Sequence, residues 1–169
     1  MDELIDEVDY TGKVIATHPK SYFKERMFLH KASLIIPKTF DNKYLLSKRA
    51  PDKHPWPGTW CCAVGGKAHS GETEEEAGIR EMKEEIGKIY ELEKVTTFVY
   101  DEKEYKAIFN IFTTKIPINP TEIILDPKEI ECTKAFTLAQ ILRMVKETPQ
   151  TFPPTFIRGI IEFAKNVQK

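Results

Sequence analysis

Hydrophobic residues fall along this chain in two rhythms. From Met27 to Pro37 the run MFLHKASLIIP is rich in bulky residues and predicts a central strand that stops at proline. Asp41-Asn42 signals a turn, and Tyr44 to Ser47 reads as the partner strand of a hairpin. Trp60 to Val64 predicts a short strand ending at the Gly65-Gly66 pair. Val95–Tyr100, Ala107–Lys115 and Cys132–Phe136 are further strands, rich in β-branched and aromatic residues. Helical spacing takes over elsewhere. Ile79, Met82 and Ile86 form one apolar face of a helix that starts at Thr73, where Glu76 completes a capping box, and ends at Gly87. Thr137 caps a second helix with Leu138, Ile141, Leu142 and Val145 on one face. A last helix turns Phe156, Ile157, Ile160, Ile161 and Ala164 inward. This order predicts an α/β fold, a mixed sheet covered by helices.

Residues 1–26 alternate short apolar and charged groups around Thr11-Gly12 and read as a small hairpin or irregular cover. Composition adds bounds. A chain of 169 residues is expected to form a single domain, 1–169, with a sizeable core. Its formal charge of −1 argues against a protein that coats nucleic-acid polymers, because such binding rests on excess positive charge. No apolar run approaches membrane-spanning length, and the acidic MDELIDEVDY start is unlike a secretory signal, so a cytoplasmic protein is expected. Cys61, Cys62 and Cys132 match neither a disulfide framework nor a metal-binding CxxC, and read as small buried hydrophobes on strands.

Candidate chemistry concentrates in two stretches. On the first helix Glu81, Glu84 and Glu85 stand at i, i+3 and i+4, so their carboxylates project from neighbouring points. Such a cluster is either a solvated acidic face or an open Mg²⁺ or Mn²⁺ site, since these ions bridge a few carboxylates to substrate phosphates. The second stretch, SKRAPDKHPWPGTW from Ser47 to Trp60, holds basic and aromatic side chains on a proline-stiffened loop. Arg49 is the first choice for a phosphate contact, and Trp56 is available to stack on a base or cover an apolar tail. Between the fourth and fifth sheet segments, Glu102 and Glu104 share strand parity and read either as a hairpin tip or as an extra ligand or base.

The stretch GGKAHSGETEEEAGIREMKEEIG, Gly65 to Gly87, resembles the signature of the Nudix family, G-x5-E-x7-R-E-U-x-E-E-x-G-U, where U is bulky aliphatic. Gly66, Glu72, Arg80, Glu81, Met82, Glu84, Glu85 and Gly87 fall on specified positions; the final aliphatic is replaced by Lys88. The resemblance implies the Nudix α/β/α sandwich, with residues 65–88 as the box. It also implies that Glu81, Glu84 and Glu85 bind divalent cations with help from the Gly65 carbonyl, that Glu72 and Arg80 pair to hold loop and helix together, and that Glu81 or Glu84 serves as general base.

His30, Leu46 to Arg49, Lys53 and Pro57-Gly58-Thr59-Trp60 further resemble the isopentenyl diphosphate isomerase branch and its hydrolase relatives. There His30 fits a metal histidine, but the isomerase cysteine and a second metal histidine fall on Gly65 and Lys67. The expectation is therefore a metal-dependent pyrophosphohydrolase in which water attacks phosphorus and Arg49 or Lys67 meets the phosphoryl oxygens. The family name implies a nucleoside diphosphate derivative as the small-molecule substrate of a monomer or homodimer. The alternatives are an isomerase and a non-catalytic nucleotide-binding module.

Overall fold

A computed structural model describes residues 1–167. Nine strands and three α-helices follow in order: β1 (Leu4–Val8), β2 (Val14–Pro19), β3 (His30–Ile35), β4 (Tyr44–Arg49), β5 (Trp60–Cys62), β6 (Val64–Lys67), α1 (Glu74–Ile86), β7 (Leu92–Asp101), β8 (Lys106–Thr114), β9 (Ile130–Phe136), α2 (Leu138–Glu147) and α3 (Pro154–Val167). They form a two-stranded sheet β1-β2, a four-stranded sheet β6-β3-β8-β7 and a three-stranded sheet β5-β4-β9. β3 and β8 run parallel and every other ladder is antiparallel, which makes the central sheet mixed.

Two hydrophobic layers flank β3. Ala32, Leu34 and Ile36 pack with Phe156, Ile160 and Phe163 of α3 and with Ile141 and Val145 of α2. Ile35, on the opposite parity, packs with Met82 and Ile86 of α1. A strand covered on both faces needs apolar residues at both parities. This accounts for consecutive apolar residues at Leu34, Ile35 and Ile36.

The predicted hairpin between β3 and β4 does not form. Both edges of β3 are occupied, by β6 and β8, and β4 belongs to the other sheet. The turn itself exists: Asn42 takes a left-handed φ of 58°, and a lone bridge joins Lys38 to Tyr44. The single strand expected at Trp60 to Val64 is two strands. At Ala63 the chain leaves β4 and joins β3, and the Ala63 carbonyl accepts the Ser47 hydroxyl at 2.7 Å. In α3, Ile161 is 40% exposed rather than inward, and Phe163 and Gly159 are buried instead.

Helix α1 is bounded as its sequence predicts. Thr73 accepts from the Glu76 amide while the Glu76 carboxylate accepts from the Thr73 amide. Gly87 closes the helix at φ 66°, the left-handed region where a side chain is strained. The Ser33 hydroxyl donates to the Glu74 carbonyl at 2.6 Å, tying the start of α1 to β3. The β1-β2 hairpin is the expected cover, and it also holds the loop before α1: the Ser70 amide donates to the Leu4 carbonyl, and the Gly71 amide to the Asp6 carboxylate.

Thr73→Ala removes one half of the capping box and is expected to lower unfolding free energy by about 1 kcal/mol. A urea titration reading the midpoint at unchanged slope checks this.

Candidate active site

Arg80 organises the site. Its Nε and Nη2 donate to the two carboxylate oxygens of Glu72 at 2.8 and 3.1 Å, a forked contact that fixes the planes of both groups. Nη2 also donates to the Lys67 carbonyl at 3.0 Å, and Nη1 donates to Glu81 at 2.8 Å and Glu84 at 3.4 Å. The end of β6, the loop that follows and the exposed side of α1 thus meet on one guanidinium. Glu72 accepts in addition from the His69 amide at 2.8 Å, which pins the loop.

The three helix carboxylates differ in environment. Glu84 is half exposed, with 56% of its side chain open to solvent. Glu81 is largely buried, and burial raises its carboxyl above the ordinary value despite Arg80. Glu85 is only 8% exposed, and burial together with the charges of Glu81 and Glu129 pushes its carboxyl well upward. Its single hydrogen-bond partner among the described residues is the Gly65 amide, at 3.4 Å. A Cβ at Gly66 would stand 2.0 Å from Glu81 Oε1, so any side chain there displaces the Glu81 carboxylate.

These carboxylates line a cleft of about 430 Å³. Gly65 and Arg80 line it as well, and Arg49, Lys67 and Trp56, the sequence candidates for substrate contacts, lie in the same cleft. Among the described residues the Arg49 guanidinium donates only to the Lys53 carbonyl, at 3.4 Å, and its buried Nε has no partner. The Lys67 ammonium sits between the Phe23 and Tyr105 rings, 5.2 and 5.3 Å from their centroids, within cation–π range. Trp56 holds a left-handed φ of 59° and packs its ring 5.8 Å from that of Tyr105.

Other candidates lie elsewhere. Glu102 and Glu104 are exposed at the β7–β8 tip and do not line the cleft, so only the hairpin-tip reading fits them. His30 is fully buried outside the cleft lining, its Nδ1 3.1 Å from the Phe28 carbonyl. Burial and the charge of Lys67 lower it to about 3, so it stays a neutral core histidine. Cys62 is a buried strand residue as expected, but Cys61 is half-buried and both thiols line the cleft. Their sulfurs are 3.5 Å apart. The contact and the nearby Arg49 hold Cys61 below the usual thiol range, and the same contact with burial pushes Cys62 up.

Lys20 from the N-terminal cover, Tyr105 from the β7–β8 loop, and Glu129 with its ion-pair partner Lys53 also line the cleft. Sequence reasoning named Lys53 but passed over Lys20, Tyr105 and Glu129, because each comes from a segment whose local pattern carries no spacing signal. Among the described residues no three His, Cys, Asp or Glu side chains are gathered closely enough to hold a metal ion unaided.

A family model described as the NUDIX domain matches residues 29–156. The chain is 31% identical to isopentenyl-diphosphate Delta-isomerase 2 of Photorhabdus laumondii, covering 92% of this chain and 89% of that protein. It is 27% identical to a prenyl-diphosphate phosphatase of Methanosarcina mazei, covering 96% of this chain and 95% of that one. In fold it is similar to a solved protein of Deinococcus radiodurans, with a TM-score of 0.80 at 18% identity over 94% of this chain and 98% of that one.

Glu85 carries a pH prediction. Its carboxyl is raised in the folded state, so with metal chelated the protein loses stability as pH rises from the ordinary value of 4.5 through the raised one. Glu85→Gln removes that loss. The melting temperature of the variant minus that of wild type is expected to grow as pH rises above about 4.5, measured by thermal denaturation in chelator.

Proposed function

The chain belongs to the NUDIX family and is a hydrolase, and from that premise we propose that it uses a divalent cation to hydrolyse the diphosphate of a small organic alcohol. The observation that carries this reading is Arg49, a guanidinium whose buried Nε has no partner among the described residues and which lines the same cleft as three carboxylates. A buried donor without a partner costs free energy unless a ligand supplies an acceptor. A diphosphate supplies acceptors for Arg49 and, through a cation, a bridge to Glu81, Glu84 and Glu85.

The donor set fits Mg²⁺ or Mn²⁺. Two desolvated carboxylates and one open one are hard oxygen ligands with too little positive charge around them, and such ions are completed by substrate phosphates rather than a full protein cage. Glu81, Glu84, Glu85 and the Gly65 carbonyl would hold the ion. When bound, it would neutralise the diphosphate and make water a stronger nucleophile. Arg80 and Glu72 keep loop and helix in register, so the carboxylates stay fixed. Arg49 and Lys67 bind and orient phosphoryl oxygens. Glu84, more exposed than Glu81 and held by Arg80 only at 3.4 Å, is the better placed to take the proton from the attacking water. Attack at phosphorus breaks the P–O–P bond and yields the alcohol monophosphate and inorganic phosphate.

For the alcohol, an apolar tail is favoured over a nucleoside. Leu34, Trp56, Tyr105 and Phe109 give the cleft an apolar and aromatic side. The relatives matched over nearly the whole chain are named for isopentenyl and prenyl diphosphates. Isomerisation is the second reading, and one contact favours it: Cys62 Sγ would lie 3.0 Å from a Cβ built on Gly65, the place where the isomerase pattern carries its cysteine.

The test is a panel of isopentenyl, longer prenyl and nucleoside diphosphates with Mg²⁺ or Mn²⁺, followed for phosphate release and for double-bond rearrangement. Phosphate release from prenyl diphosphates, abolished by chelation, is expected; rearrangement without release, or preference for nucleosides, contradicts this reading. Glu84→Gln is expected to lower the cleavage rate by about 10²- to 10⁴-fold. Arg49→Ala is expected to raise KM by roughly 10- to 100-fold, the loss of charge-assisted contacts.

A further inference from the structure

Neighbouring residues on a strand normally point to opposite faces, which keeps their side chains apart. Cys61 and Cys62 escape that rule. β5 ends at Cys62, the chain swings into the other sheet at Ala63, and the two sulfurs come to 3.5 Å while both line the cleft. Both thiols are free, and neither has a part in the hydrolysis described above.

Two sulfurs bound to one soft centre at about 2.3 Å, with angles of roughly 100 to 110°, stand about 3.5 to 3.8 Å apart. The pair already has that separation, so one centre can bridge it with little backbone movement. Soft ligands of this kind select soft centres over Mg²⁺ or Mn²⁺. We propose that Cys61 and Cys62 form a dithiol capture site for a single soft, thiophilic centre, of which a trivalent arsenical is the type, and that capture blocks the cleft. The blocking half rests on the reading of this cleft as the reaction site. A Cβ built on Gly65 would stand 3.0 Å from Cys62 Sγ, and both thiols line the same cleft as Arg49 and the three carboxylates, so a group bridging the sulfurs takes up space in that cleft.

With phenylarsine oxide the chemistry balances without an oxidant. Each sulfur forms a bond to arsenic, the arsenic–oxygen bond breaks, and that oxygen leaves as water with the two thiol protons. Arsenic stays trivalent throughout.

The experiment treats the full chain with one equivalent of phenylarsine oxide and reads intact mass and hydrolysis. One adduct per chain is expected, stable to excess monothiol and removed by 2,3-dimercaptopropanol, with hydrolysis at least tenfold lower while it is in place. Cys61→Ala and Cys62→Ala are each expected to lose the monothiol-resistant adduct and to keep their own untreated rate after treatment. Cys132→Ala should label as wild type does, because Cys132 sits on β9. The proposal is overturned by any of three results: no monothiol-resistant adduct on wild type, an adduct that survives in the Cys61 and Cys62 variants, or full hydrolysis with the adduct in place. The wild-type arms decide it even where a variant fails to fold. If untreated protein hydrolyses nothing on the panel, the functional reading has failed, and the mass result still decides the dithiol.

Discussion

One guanidinium holds the site in shape. Arg80 is reached by Glu72 from the loop, by the Lys67 carbonyl from the end of β6, and by Glu81 and Glu84 from α1. Nε and Nη2 of one rigid planar fork hold the loop while Nη1 holds the helix, so the loop cannot move relative to the helix without losing several contacts at once. Lysine, a point charge on a flexible stem, could not satisfy that geometry. The fixed spacing of the box is the sequence's record of this constraint. Seven residues lie between Glu72 and Arg80, and the capping box at Thr73 sets where the helix begins between them.

Around that anchor the cleft separates charge. Carboxylates gather on the α1 side, and burial leaves Glu81 and Glu85 reluctant to ionise. Arg49 and Lys67 bring positive charge to the same cleft from β4 and β6, and Lys20 adds another from the N-terminal cover. On the proposed reading, a ligand that carries both signs, a cation with a diphosphate, would satisfy both sides of this arrangement. The cover does more than bury Ile5 and Val8: by accepting the Ser70 and Gly71 amides it holds the loop that Glu72 leads into Arg80.

What depended on local spacing was legible in the sequence. The limits of α1, its carboxylate cluster and the caps of α2 all follow from residues within a turn or two of one another. What depended on long-range pairing was not. The run from Met27 to Pro37 showed a central strand but not which strands flank it, and a turn at Asp41-Asn42 is equally compatible with a hairpin or with a crossing to another sheet. The switch at Ala63 had no marker, so the approach of the Cys61 and Cys62 sulfurs was invisible. Glu129 and Lys20 enter the cleft from distant segments. Glu102 and Glu104 share strand parity, which left open that both face α1, yet the hairpin carries them out into solvent.

The central claim is that water attacks phosphorus in this cleft. It is tested most directly by running the reaction on isopentenyl diphosphate in water labelled with heavy oxygen and reading the products by phosphorus NMR and mass spectrometry. The account predicts one labelled oxygen bonded to phosphorus, in the inorganic phosphate for attack at the outer phosphorus or in the monophosphate for attack at the inner one, and none bonded to carbon. Label in the alcohol, which requires cleavage at carbon, or unlabelled substrate converted to its double-bond isomer, would contradict it.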